Sequence, residues 1–337
     1  MTDGRLFNVV CRYIVYIVTV TSTPFYILFV VLLYRHRNVN PFDSVFYSII
    51  RALGVSDICN AITNIIALYI VADYWTWLPS FFFDYDHVIA PLFTYLVSWT
   101  GSMSLLGIVV VTLSRYTAVT TPVTHKIFWE QHWRKFMIAC CAVPGIEFLP
   151  ILLSDVRYDL PSGRFSQADN ASAFNESTGM LVPPFYYKHA WQILVIIAVT
   201  GLTNFTAAVV VVLLYGRILW TVVRAYINRQ ISSTSGSASS SADLQMRFTL
   251  IGGCLALPLV LLMVLYVCYA AFTRAMGPYL VGLYNVLLCF SVGQNPFVVT
   301  ALVASIRQKW RSMFGCEAQT APITSSTGAL PAYNTGH

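Results

Sequence analysis

Val209-Val210-Val211-Val212-Leu213-Leu214 is the run that decides how this chain folds. Neighbouring residues of a β-strand face opposite sides, so a lipid-spanning strand alternates apolar and polar side chains. These six residues do not alternate. Within lipid, each backbone N–H and C=O must also find its partner inside the spanning segment. The run therefore reads as helix. Its surrounding apolar stretch, 190–215, exceeds the ~20 helical residues needed to cross about 30 Å of hydrocarbon. Similar stretches occupy 11–34, 44–72, 87–113, 135–153, 247–272 and 278–304. Seven spans imply an all-α membrane protein, a seven-transmembrane helix bundle.

The composition agrees: 57% of residues are hydrophobic and 10% are charged, against about 25% charged in an average soluble domain. The connecting loops are too short for a second folded unit. One domain, 1–316, is expected, followed by a Ser-, Thr-, Pro- and Gly-rich tail, 317–337, of disordered character. The net charge of +6 is spread over several loops, so no nucleic-acid partner is expected.

The distribution of that charge sets topology. With the amino terminus outside, cytoplasmic segments hold 13 of the 20 Lys and Arg, and the opposite side holds six. The positive-inside rule then gives an outside amino terminus and a cytoplasmic carboxyl terminus. Two sequons, Asn170-Ala171-Ser172 and Asn175-Glu176-Ser177, fall in the longest exterior loop and are candidate glycosylation sites. A third, Asn204-Phe205-Thr206, is inside a span and out of reach of glycosylation. On the cytoplasmic side, Arg35-His36-Arg37-Asn38 forms a short basic turn, and a longer loop from about Tyr116 to Arg134 carries Trp129 and Trp133. After the last span, Ile306, Trp310, Met313 and Phe314 interleave with Arg307, Lys309 and Arg311, as in a helix lying on the inner leaflet. Cys316 then stands where acylation would anchor it.

Little points to catalysis. The six histidines lie in loops, in the tail or at span edges, and no Cys-x-x-Cys or Cys/His metal spacing occurs. The cysteines read as small apolar packing residues. No enzyme activity, metal or cofactor is expected. Asp57 is the charge that needs a reason, because an ionised Asp at a span centre costs about 2.5–3.5 kcal/mol. It is expected to face the bundle interior as a polar hub, or to be satisfied locally by Ser56, Asn60 or water. Arg51, nearer the cytoplasmic end of the same span, reads as a snorkelling side chain.

The most specific local signal is Ser114-Arg115-Tyr116-Thr117-Ala118-Val119-Thr120-Thr121-Pro122, where the third span meets the cytoplasm. It resembles the Asp-Arg-Tyr segment of rhodopsin-like G-protein-coupled receptors. Asn295-Pro296-Phe297 resembles the Asn-Pro-x-x-Tyr motif of that superfamily, with Val299 or Thr300 standing for its closing Tyr. Asp57 and Pro258 occupy similar family positions. Several features depart from the common pattern: Ser114 replaces the acid, Ala256 stands for the usual Trp, span five lacks proline, and no exterior cysteine pair exists. With Trp129 and Ile306-Arg307, these departures resemble nematode serpentine chemoreceptors of the class V and class gamma groups.

That resemblance implies a plasma-membrane receptor partnered by a heterotrimeric G protein and a small-molecule ligand. Arg115, Tyr116, Pro122, Asp57, Asn295, Pro296 and Pro258 would form the switch, with Gly252, Gly253 and Pro258 bending span six. Span seven has no Lys for a retinal Schiff base, and the outer half of span three has no acid for an amine. Tyr95, Trp99, Tyr269 and Tyr284 are candidate walls of an aromatic cavity, with Phe272 and Tyr279 beside them, suited to an uncharged or weakly polar molecule. The alternative is a transporter or channel with an accidental Arg-Tyr pair.

Overall fold

The computed structural model describes residues 2–39, 42–66, 85–154, 156–158, 185–187, 190–231, 253–254, 256–265, 267–268, 283, 286–287, 289–291 and 293–313. Its elements are helices α1 (Thr2–Arg35), α2 (Val45–Asn64), α3 (Asp86–Thr120) and α4 (Pro122–Glu147), then a 3-10 turn (Leu149–Leu153). Strands β1 (Val156–Tyr158) and β2 (Phe185–Tyr187) follow, and after them α5 (Ala190–Ile231). A short apolar helix, α6 (Ala256–Leu265), precedes α7 (Asn295–Leu302) and α8 (Ala304–Met313). Five helices among the described residues, α1 to α5, are long and apolar enough to cross a membrane. Helices α6 and α7 lie in the sixth and seventh apolar stretches, 247–272 and 278–304.

Helix α3 is the centre of the bundle, packed against α2, α4 and α5, while α1 lies against α2 and α7. In lipid, helices gain nothing from hiding apolar side chains from one another, so close approach at small residues carries the packing. Gly54 and Gly107 supply it. A Cβ at Gly54 would meet Val30 Cγ2 at 2.6 Å, and one at Gly107 would meet Leu53 Cδ1 at 2.6 Å. The α1–α2 and α2–α3 seams both depend on a missing side chain.

The expected second cytoplasmic loop, 116–134, is helical apart from a single joint. Helix α3 runs on to Thr120 and α4 begins at Pro122. Proline has no N–H to continue α3, and it drives the preceding residue out of the α region. Thr121 accordingly sits at φ −137° and ψ 63°. Proline at the first helical position then suits the start of α4. Helix α5 likewise outruns its apolar stretch, reaching Ile231 rather than 215. Hydropathy marks where lipid ends, whereas a helix ends at a breaker, and 216–231 contains no proline.

The turn after α1 is as expected. His36 and Arg37 N–H groups donate back to Leu32 and Tyr34 carbonyls at 3.2 and 3.3 Å. One element was not expected: β1 and β2 pair antiparallel, with Val156 opposite Tyr187 and Tyr158 opposite Phe185, at the two ends of the long α4–α5 connection. Their β-branched and aromatic residues favour extended pairing, and β1 contacts α3. Among the described residues the bundle is helical apart from this pair and the joining turns. At the other end, α8 turns Ile306 and Trp310 into the protein. Phe25 stacks between Phe297, at 4.3 Å, and Trp310, at 5.0 Å. The seven described cysteines include no disulfide.

Candidate functional site

Asp57 is fully buried, at 0% exposure. A carboxylate withdrawn from water needs donors, since each unmet polar group in such a place costs free energy. They come from two other helices. Tyr26 of α1 donates its hydroxyl to Asp57 Oδ2, and Asn295 of α7 donates Nδ2 to the same oxygen at 2.7 Å. Asp57 thus ties α1, α2 and α7 together deep in the bundle.

The local partners expected from sequence are engaged elsewhere. Ser56 meets Ser104 of α3 at 3.1 Å. Asn60 accepts from Thr100 of α3 at 3.2 Å and from Asn64 at 2.7 Å. Asp57, Asn60 and Asn64, spaced i, i+3 and i+7, lie on one face of α2, and Thr100 and Ser104 answer from α3. Tyr26 escaped the sequence reading. It stands 31 positions before Asp57, and no helical periodicity relates two residues on different helices.

Pro258 is buried in α6. Lacking an N–H, it leaves unmet the carbonyl four residues earlier, that of Cys254. Gln294 fills that gap, donating Nε2 to the Cys254 carbonyl at 3.0 Å. Gln294 directly precedes Asn295-Pro296, so the proline site of α6 is wired to the start of α7. The sequence signal was present in the i−4 rule; the identity of the donor was not.

From sequence, Arg115 stands where the third span meets the cytoplasm. Its guanidinium lies over the face of Phe46 of α2, with Cζ 3.2 Å from the ring centroid. Tyr47 of α2 and Tyr215 of α5 are its electrostatic neighbours. Ser114, the preceding residue, points inward and is buried. Close by, the α3–α4 joint is locked by Thr117, which receives a hydrogen bond from Trp129 Nε1 at 2.7 Å and contacts His125 Nδ1 at 2.9 Å. Trp129 is wholly buried and anchors this joint. Tyr116 is partly exposed beside it, and Pro122 opens α4.

Arg51 does not snorkel freely. It donates Nη1 to the Phe42 carbonyl at 3.2 Å and Nη2 to Ser48 Oγ at 2.7 Å, with a longer contact to the Leu33 carbonyl at 3.4 Å. Leu33 is in the last turn of α1, where carbonyls lack intrahelical donors and attract a cation. The residue clasps the turn between α1 and α2.

Of the four candidate cavity walls, Tyr95 and Trp99 lie on one face of α3, half-buried against α4. Trp99 Nε1 donates to the Cys141 carbonyl at 2.8 Å, and Tyr95 donates to the Gly145 carbonyl at 3.2 Å. Gly145 permits both, since a Cβ there would stand 3.3 Å from Trp99 Nε1. The polar ends of these rings serve the α4 backbone. Nearby, Thr203 of α5 donates to Glu147 Oε1 at 2.5 Å. Tyr269, Tyr284, Phe272, Tyr279, Gly252, Asn170, Asn175, Cys316 and the tail 317–337 lie outside the described residues. No group of three or more His, Cys, Asp or Glu suited to a metal ion occurs among the described residues.

A family model described as serpentine type 7TM GPCR chemoreceptor Srv matches residues 15–316. No curated protein matches the chain.

Proposed function

The chain belongs to the Srv family of serpentine seven-transmembrane G-protein-coupled chemoreceptors, and we propose that it answers a small, uncharged or weakly polar molecule by repacking the Asp57 hub and freeing Arg115. The observation that carries this reading is the hub itself, where one buried carboxylate oxygen receives donors from α1 and α7. Any shift of α7 against α2 must break or remake those bonds. A ligand shifts the equilibrium between two packings only by its difference in affinity for them. A buried polar junction supplies the discrete alternatives that such a shift requires.

The ligand enters from the side bearing the α4–α5 connection, among ring faces that include Tyr95 and Trp99. Tyr269 and Tyr284 are proposed to join them. At the other end, Arg115, Tyr116 and Pro122 present the surface for the heterotrimeric G protein, with Pro258, Asn295 and Pro296 governing the inner ends of spans six and seven. The amino terminus is outside and the carboxyl terminus is cytoplasmic in the plasma membrane. Asn170 and Asn175 carry glycans, Cys316 a lipid, and the unit 1–316 does the work of the receptor ahead of the tail 317–337.

The test is nucleotide exchange on G proteins in membranes bearing the receptor, with a panel of small volatile and weakly polar molecules. At least one should stimulate exchange in the native chain. Arg115→Ala should reach the cell surface at near-native level and lose at least tenfold of that stimulation. Ligand-gated ion flux without any G protein would overturn the reading.

A further inference from the structure

In a receptor with an acid before this arginine, an ion pair can hold the guanidinium at rest. Here Ser114 stands in that place. It is buried on the inward side of α3, and adjacent helical residues do not face one another. A different group lies against the cation. The ring of Phe46 is itself buried at 8% exposure, and Arg115 Cζ sits 3.2 Å from its centroid, well inside the ~6 Å within which a cation is drawn to an aromatic face. Phe46 occupies the first turn of α2. The contact therefore spans two helices and is lost if α3 turns or slides relative to α2.

We propose that Phe46 is a positioning residue for signalling: its ring face seats the Arg115 guanidinium in the resting receptor and withholds it from the G protein. This rests on the reading of Arg115 as the cytoplasmic switch. The physical case has three parts. The negative face of the aromatic quadrupole attracts a cation without itself carrying charge, so the seat escapes the desolvation that a buried carboxylate would incur. Arginine, planar and weakly hydrated, is the cation best suited to lie flat on a ring. The restraint is also weaker than a buried ion pair, which suits a switch that a small ligand must throw.

A partly desolvated contact of this kind should shift the resting equilibrium about three- to thirty-fold. The experiment is ligand-free nucleotide exchange in membranes, normalised to surface receptor. Phe46→Leu keeps an apolar side chain of similar size but removes the π face, and it should raise basal exchange by about that factor. Phe46→Trp, with the stronger face, should leave basal exchange at or below the native level. Combining Phe46→Leu with Arg115→Ala should return exchange to the floor, because the gain runs through the freed arginine. Should Phe46→Leu be retained inside the cell, fluorinated phenylalanines at position 46 keep the ring's shape and weaken its face stepwise; basal exchange should then climb with each fluorine.

If basal exchange is flat or falls across Phe46→Leu or the fluorinated series while Arg115→Ala still lowers it, the aromatic seat is wrong and the switch stands. If the double variant is as active as Phe46→Leu alone, Arg115 is not the output, and both readings fail.

Discussion

Asp57, fully buried, and Arg115, partly buried, each lie against an aromatic side chain from another helix. Asp57 illustrates how much a single charge organises. Replacing it by alanine leaves the Tyr26 hydroxyl and the Asn295 amide, both buried, without their shared acceptor. Each unmet donor costs about 1–3 kcal/mol, so Asp57→Ala should lower the thermal stability of purified receptor in detergent. Asp57→Asn retains one acceptor oxygen and should recover much of that loss. Equal melting temperatures for native and Asp57→Ala receptor would show that the hub is not structural. Asp57 and Asn295 were legible in the sequence as separate landmarks, one from the cost of a charge in lipid and one from its motif. Their pairing was not, because they stand 238 positions apart in the chain.

Among the elements, glycine and proline positions decide how closely helices approach and where they bend. At Gly54 any side chain meets Val30 and Tyr26, and Tyr26 is the donor to Asp57. Gly54→Leu should therefore both open the α1–α2 seam and disturb the hub, destabilising by more than the ~1–3 kcal/mol typical of overpacking. Surface expression and melting temperature measure it; a native-like result would mean that α1 shifts freely against α2. The α6–α7 link makes a subtler prediction. Gln294→Leu removes the donor to the Cys254 carbonyl, which Pro258 cannot serve. The receptor should still reach the surface, with basal nucleotide exchange changed at least twofold as the tie between α6 and α7 is cut. Gln294→Glu, unable to donate, should behave like Leu; an unaltered basal rate in both would show that the tie has no part in switching.

On the scale of the whole molecule, the proposed orientation rests on the Lys and Arg asymmetry, 13 against six. Asn170→Gln and Asn175→Gln should each remove a glycosidase-sensitive step in gel mobility, and Asn204→Gln should remove none, because Asn204 lies within helix α5. An epitope on the tail should be protected in intact cells. A tail reached by antibody from outside would reverse the orientation.

Apolar run length and its lack of alternation determined the helical bundle, and Val209 to Leu214 were sufficient to exclude a barrel strand, because the bilayer imposes a single rule on every spanning segment. Ser114 to Pro122 and Asn295 to Phe297 carried the family, since both are contiguous in the chain. Helix ends were less legible. Hydropathy falls at the edge of lipid, while α3 and α5 continue until Pro122 stops one and a serine-rich stretch follows the other. Only the tertiary structure decided that Tyr26 reaches Asp57, that Phe46 lies under Arg115, and that Gln294 completes the carbonyl freed by Pro258. Each of these joins side chains on different helices, and their meeting depends on the rotation and depth at which the helices pack, which short-range pattern does not encode.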